Sequence, residues 1–416
     1  MIRTILLFVI CLVFALRSLG QAWQVYDMAI AGLPSNTVRA IAHESNGTTW
    51  LGTDWGLASF DGTSWTLYQM SNSPLPDNDI RALDVDVNDR LWIGTFNSGV
   101  TLKDGSSWTT YNTSNSGMPE NQVKCVETDS LDVYICTIGG LAHYDGSIWR
   151  VYDDTPNTYN DLELPSGNIA DVKVRDDGLV AIGTVNGGFT YLTDSLVTVY
   201  STVTTGLPDN TALGVEIDQN GDRWAACPSG GLLYHSGAYD INLWFQYSTI
   251  SSTIPSNALN DVVFDPYGRV CVSTQNAGIG IFDPPVTWIN YTPANSDLPD
   301  IEVLTSAKAP NGVLWFGTAS GGAASLDLVT GVENGNLGRL TVFPNPASDE
   351  VIVDCTSVRH AEVIRVFDLA GRKRLSVRSN ELSPNILDIR MLEPGSYVLE
   401  VQGEAHLVRA TLIVQR

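Results

Sequence analysis

Cations, cysteine and histidine are all scarce in this chain of 416 residues. Lys and Arg number 23 against 46 Asp and Glu, a formal net charge of -23. Such a surface repels phosphate backbones and anionic lipid, which excludes nucleic acid as a partner. Six cysteines are too few for a disulfide scaffold, and no Cys-x-x-Cys or His-x-x-x-His spacing points to zinc. Five histidines leave little room for acid-base chemistry built on imidazole. No apolar run reaches the 18 or so residues a membrane-spanning helix requires. The longest, Ile5 to Leu16, follows Arg3 and precedes Ser18-Leu19-Gly20, the order of a secretory signal peptide. We therefore expect a signal peptide at 1–20, a mature chain starting at Gln21 with no transmembrane segment, and five cysteines in a disulfide-permissive compartment.

What is abundant is glycine, 37 residues, and tryptophan, 11, in a chain that is 44% hydrophobic and too apolar for disorder. These residues recur at a fixed period. Proline stands at Pro34, Pro76, Pro119, Pro165, Pro208, Pro255 and Pro299, which marks seven units of about 44 residues. Four strand-like segments follow in order within each unit. In their clearest forms they are Val38 to Ile41, Leu91 to Thr95, Gly56 to Gly62, and a Trp with a Tyr three residues on, such as Trp108/Tyr111. Turn signals such as Asn46-Gly47 and Asn311-Gly312 separate the first two.

Four strands in 40 to 45 residues is the arithmetic of a β-propeller blade. The seventh unit lacks its Trp-x-x-Tyr segment, and a spare Trp23-Gln24-Val25-Tyr26 stands at the other end of the repeats. We therefore predict an all-β fold: a seven-bladed propeller over 21–332, closed by the N-terminal strand, which hides both free sheet edges. The repeat wording, above all Leu91-Trp92-Ile93-Gly94-Thr95 followed by Gly-x-x-x-x-Asp-Gly, resembles the two-component regulator propeller family. In that family such repeats form the periplasmic sensor halves of hybrid histidine kinases of Bacteroidota-type bacteria. We expect neither a kinase domain nor a transmembrane helix beside them here.

Beyond Gly331 the composition changes. Residues 333–416 carry 10 basic and 11 acidic side chains, whereas 21–332 carry 11 basic and 35 acidic, so the acidity belongs to the propeller. After a linker at 333–340, the alternating strands of 341–416 predict a small Ig-like β-sandwich. The Pro344-Asn345-Pro346 opening, the turn at Leu369-Ala370-Gly371-Arg372 and the strand at Pro394-Gly395-Ser396-Tyr397-Val398 resemble the type A sorting domain of the type IX secretion system. That resemblance implies export to the outer-membrane surface or beyond, with the secretion machinery as a partner.

Both the entry corner of each first strand and the end of each second strand fall on one face of the disc. A ligand pocket breaks the symmetry its scaffold imposes, so the non-repeating loop residues of that face are the binding candidates. These are Asp54, Trp55, Phe96, Asn97, Asn186, Gln275 and Asn276, an aromatic and amide set suited to a glycan or a peptide. The recurring Asn36, Asn78, Asn121, Asn210 and Asn257 are read instead as turn caps. Asp84/Asp86, Asp153/Asp154 and Asp176/Asp177 are read as solvated or turn carboxylates. Asp218-x-Asn220-x-Asp222 has partial calcium-loop spacing without the closing Glu. We expect no cofactor, calcium being the one ion with any signal. His143 and His235 have no nucleophile pattern beside them. Cys125 and Cys136, across one hairpin, form either a disulfide or two small buried thiols. The expected function is a secreted or cell-surface binding propeller. The alternatives are a propeller enzyme, a lyase or glycoside hydrolase, and a structural or adhesion protein.

Overall fold

A computed structural model describes residues 22–328 and 341–414. Excepted in the first span are 131, 156–162, 176, 194–195, 219–220, 237–243 and 284–286, and in the second 344–346, 355–362, 369–371, 379–384 and 403–406. The expected signal peptide at 1–20, the linker at 333–340 and the Pro344-Asn345-Pro346 motif lie outside the described residues.

Seven four-stranded antiparallel sheets form the blades, six of them built from consecutive strands. In the seventh, Ala22–Tyr26 pairs antiparallel with Ala323–Asp327, with Trp23 opposite Leu326 and Val25 opposite Ala324. The N-terminal strand is thus the outer strand of the last blade. Second strands such as Leu91–Thr95 and Leu314–Thr318 are buried along their whole length, because a blade is covered on both faces by its neighbours. One apolar cluster fills each joint. Ala42, Leu57, Ile80 and Leu83 pack blade 1 on blade 2, and Tyr26, Val38, Leu51 and Trp315 pack blade 7 on blade 1.

The Trp-x-x-Tyr segment has a structural role. Each outer-strand Tyr meets the outer-strand Trp of the next blade: Tyr68 with Trp108 at 5.9 Å, Tyr111 with Trp149 at 5.6 Å, Tyr200 with Trp244 at 5.4 Å and Tyr247 with Trp288 at 6.3 Å. The closing strand completes this belt on both sides, through Trp23 to Tyr291 at 5.7 Å and Tyr26 to Trp65 at 5.5 Å. Only the joint between blades 3 and 4 differs, where Tyr152 packs into the cluster that holds Val197. Third-strand glycines are equally determined. Gly188 and Gly322 have φ of +92° and +86°, and a Cβ there would collide with the carbonyls of Tyr200 and Tyr26.

The C-terminal region is a two-sheet sandwich. Thr341–Phe343, Glu350–Asp354 and Asn385–Asp388 make one sheet; Val363–Asp368, Lys373–Arg378, Gly395–Gln402 and Leu407–Val414 make the other. Val351, Val353 and Leu387 share one core with Ile364, Val366, Leu399 and Leu412.

Candidate functional site

The first strand of each blade stands at the ring's centre, and residues of all seven line one cavity of about 750 Å³. At one equivalent position near the start of these strands, blades 1 to 3 carry Arg39, Arg81 and Lys124, whereas the others carry Ala170, Leu213, Asn260 and Leu304. The cations lie towards the loop face. Arg81 stacks 4.5 Å over the Phe96 ring and is bound by two 2.7 Å hydrogen bonds to Asp79. Lys124 Nζ donates to the Asn168 side chain at the entrance to blade 4. Arg39 makes no ion pair among the described residues, and its Nε is shut from solvent without a hydrogen-bond partner.

Deeper in the channel the charge reverses. Asp84, Glu127, Asp171, Glu216 and Asp261 all feel one ammonium, that of Lys173. Lys173 Nζ lies 3.1 Å from Glu127. Burial pushes the Glu127 carboxyl up to about 8 against the pull of Lys173, with Asp84 and Glu216 adding to the rise. Burial, then the neighbouring Asp261, pushes Asp171 up to about 7. The carboxylates around it hold Lys173 well above its ordinary range despite burial.

Several of these carboxylates also sew blades together. Asp84 accepts the Thr128 N–H and hydroxyl, Asp171 accepts Val215 N–H at 2.8 Å, and Asp261 accepts Ser306 N–H at 2.7 Å, each from the next blade. Asp84 therefore differs from its reading as a turn carboxylate. It falls on the inner strand Ile80–Val85 and bonds across to the next blade, whereas Asp86 lies beyond the strand's end and does cap the hairpin through Asn88 and Arg90.

The seven residues singled out from sequence lie outside the channel lining. Trp55 is 62% exposed, and no ring contact joins it to Phe96 among the described residues. Asp54, just before it, keeps a buried Oδ1 without a hydrogen-bond partner. Phe96 is half-buried beneath Arg81 and is the one candidate that touches the channel cations. The Asn97 amide donates to Asp77 at 3.0 Å. Asn186 adopts φ +67° and its amide donates to Thr211. Gln275 is held by its amide to Ala258 O, and Asn276 is exposed.

The repeated asparagines cap. Oδ1 of Asn36, Asn78, Asn121, Asn210 and Asn257 accepts the Met28, Met70, Thr113, Thr202 and Thr249 N–H at 2.7–2.9 Å. Cys125 and Cys136 stand opposite each other on adjacent strands and are joined in a disulfide. His143 stacks on Tyr134 at 4.4 Å, and His235 lies 3.2 Å from Arg223. Asp218 caps its own turn at Asp222 N–H, with Asn220 outside the described residues. Among the described residues no group of three or more His, Cys, Asp or Glu side chains is placed to hold a metal ion, and no helix is long and apolar enough to cross a membrane.

Sequence reasoning passed over the channel residues because it applied the broken-symmetry test only to loops. The same test on the inner strands finds Arg39, Arg81 and Lys124 at one position and Asp84, Glu127, Lys173 and Glu216 at another.

Comparison with known proteins agrees with this architecture. Residues 341–415 match the secretion system C-terminal sorting domain, and residues 32–55 and 74–97 match the two component regulator propeller. Among solved structures, the chain is similar to the extracellular domain of the hybrid two component system BT3049 from B. thetaiotaomicron. The TM-score is 0.63 at 18% identity, covering 95% of this chain and 54% of that one. It is also similar to PorZ, a surface component of the type-IX secretion system of Porphyromonas gingivalis, with TM-score 0.56, 14% identity, and 93% and 61% coverage. This chain thus spans little more than half the length of either. Virginiamycin B lyase from Staphylococcus aureus matches over 74% of this chain and 100% of its own, at TM-score 0.58 and 12% identity. At these identities the likeness is one of fold. No curated protein matches the chain.

Proposed function

We propose, for a chain that carries two component regulator propeller repeats ahead of a secretion system C-terminal sorting domain, that the propeller is a binding module whose extracellular ligand enters the channel from the loop face. The sorting domain makes this a secreted or cell-surface protein of the type IX route, and its partner in export is that machinery. One observation carries the binding reading. Seven-fold repetition, strict at the glycines that open the third strands and kept by five blades at the turn asparagines, is broken on the inner strands, where charged residues converge on one cavity. Concave sites with a few convergent polar groups are where small ligands bind. Phe96 beside Arg81 links the mouth to the loop rim, with Trp55 further out as a second aromatic surface.

Probing a glycan and peptide array with the full chain tests this, alongside the Phe96→Ala and Arg81→Ala variants. We expect a captured ligand whose signal falls in both variants. A chain that captures nothing, or variants that capture as well as the parent, would refute the reading.

A second reading, an enzyme of the lyase or glycoside hydrolase class, is favoured by Glu127 and Asp171. Carboxyls kept protonated near neutrality are suited to general-acid work. Turnover of a polysaccharide or lactone substrate that disappears in Glu127→Gln would select it.

A further inference from the structure

We propose that the loop-face mouth of the channel is a carboxylate site, in which Arg39, Arg81 and Lys124 hold the single negative charge of a small ligand. The proposal rests on the channel reading above and adds the ligand's charge and size.

Three observations lead to it. The first is placement: in a propeller with 11 basic and 35 acidic residues, three cations occupy one strand position in three consecutive blades and face one cavity. The second is pairing, which differs along the arc. Arg81 has its carboxylate in Asp79, two residues before it, and Lys124 has the neutral amide of Asn168. In blade 1 the residue corresponding to Asp79 is Thr37, whose hydroxyl is taken by the Ala319 carbonyl at 2.8 Å. Arg39 is left without an anion, and its Nε is enclosed and unpartnered. The protein itself closes off this Nε, so the donors Arg39 offers to the cavity are its two terminal nitrogens, which a planar carboxylate meets through two parallel hydrogen bonds. The arc thus has an acceptor missing at one defined place.

The third observation limits what fills it. Below the arc stand five carboxyls that share the ammonium of Lys173, with Lys308 also acting on Glu216. Burial and their neighbours already make these carboxyls resist ionising, so a ligand with several negative charges is disfavoured as it descends, whereas one carboxylate stays at the mouth, and its uncharged remainder meets the polar wall. A cavity of about 750 Å³ takes a small molecule or a chain end. The shared chemistry is a lone carboxylate, supplied by a sugar acid or by the C-terminus of a short peptide.

Titration calorimetry on the full chain separates the sources. One arm uses glucuronate and galacturonate with glucose and galactose as uncharged counterparts. The other uses N-acetyl-trialanine with its C-terminal amide, so that neither carries an α-ammonium. We expect one arm to bind, its uncharged counterpart to bind at least tenfold more weakly, and tricarboxylate citrate to bind no more tightly. Arg39→Gln should weaken the binding arm at least tenfold and Arg39→Lys by less, with an unchanged melting temperature showing an intact ring. Lys124→Met, at the far end of the arc, repeats the test should Arg39→Gln fail to fold. Binding by neither arm overturns the proposal, as does binding that is indifferent to amidation or to the loss of Arg39 and Lys124. A neutral ligand captured on the array and lost in Phe96→Ala would leave the channel reading standing and the carboxylate assignment overturned.

Discussion

Asp171 shows how a residue's neighbours override its type. In water its carboxyl ionises near 3.8; in the channel it does so at about 7, through burial and then the charge of Asp261. The folded chain therefore binds a proton between about pH 4 and 7 that the unfolded chain has already released, so this group removes stability as pH rises through that window. Glu127, raised from 4.5 to about 8, acts in the same direction. Asn at position 171 keeps an acceptor for Val215 N–H but cannot ionise. We expect Asp171→Asn to gain on the order of 1–2 kcal/mol over the parent at pH 8 and nothing at pH 4. Urea unfolding at the two pH values measures this, and parallel profiles would refute the assignment. The Cys125–Cys136 bridge yields a second expectation at this scale. Peptide mapping after alkylation without reduction should find both residues unlabelled, and Cys136→Ser with Cys125→Ser should cost about 2 kcal/mol.

Strands were the most legible level, because each of seven units repeats the same message and the ambiguity of any one is removed by the others. The Trp-x-x-Tyr segments announced outer strands before their purpose was visible. That purpose, a belt in which each Tyr touches the Trp of the following blade, requires neighbours about 40 residues apart in the chain to be adjacent in space. The segment at Trp23 to Tyr26 carries the most weight, since it joins the ends of the ring and meets blade 6 through Trp23 and blade 1 through Tyr26. Tyr26 is 8% exposed and stacks on Trp315 at 5.0 Å. Tyr26→Ala should cost about 3 kcal/mol. Because it loosens the closure, trypsin should cut the propeller faster in this variant than in Tyr68→Ala, the corresponding residue of a blade built from consecutive strands. Equal proteolysis of the two would show that closure places no special demand on the N-terminal strand.

For the whole molecule, the sorting address and the surplus charge fall on different parts of the chain. The sorting sandwich is nearly neutral, while the propeller holds almost all the surplus acid. Truncation after residue 340 should leave the propeller inside the outer membrane, whereas the full chain reaches the surface or medium; fractionation and immunoblotting measure this, and equal export would contradict it. The sequence by itself determined the blade count, the closure by the N-terminal strand and the sorting address, since all three are written as local patterns repeated or placed at fixed spacing. It also marked Phe96, because that residue departs from its repeat. Only the tertiary structure decided that Arg39, Arg81 and Lys124 form one arc and that five carboxylates share Lys173. Ring closure brings together side chains that lie 40 or more residues apart in sequence, and the electrostatics of such a group depend on distances and burial that no linear pattern records.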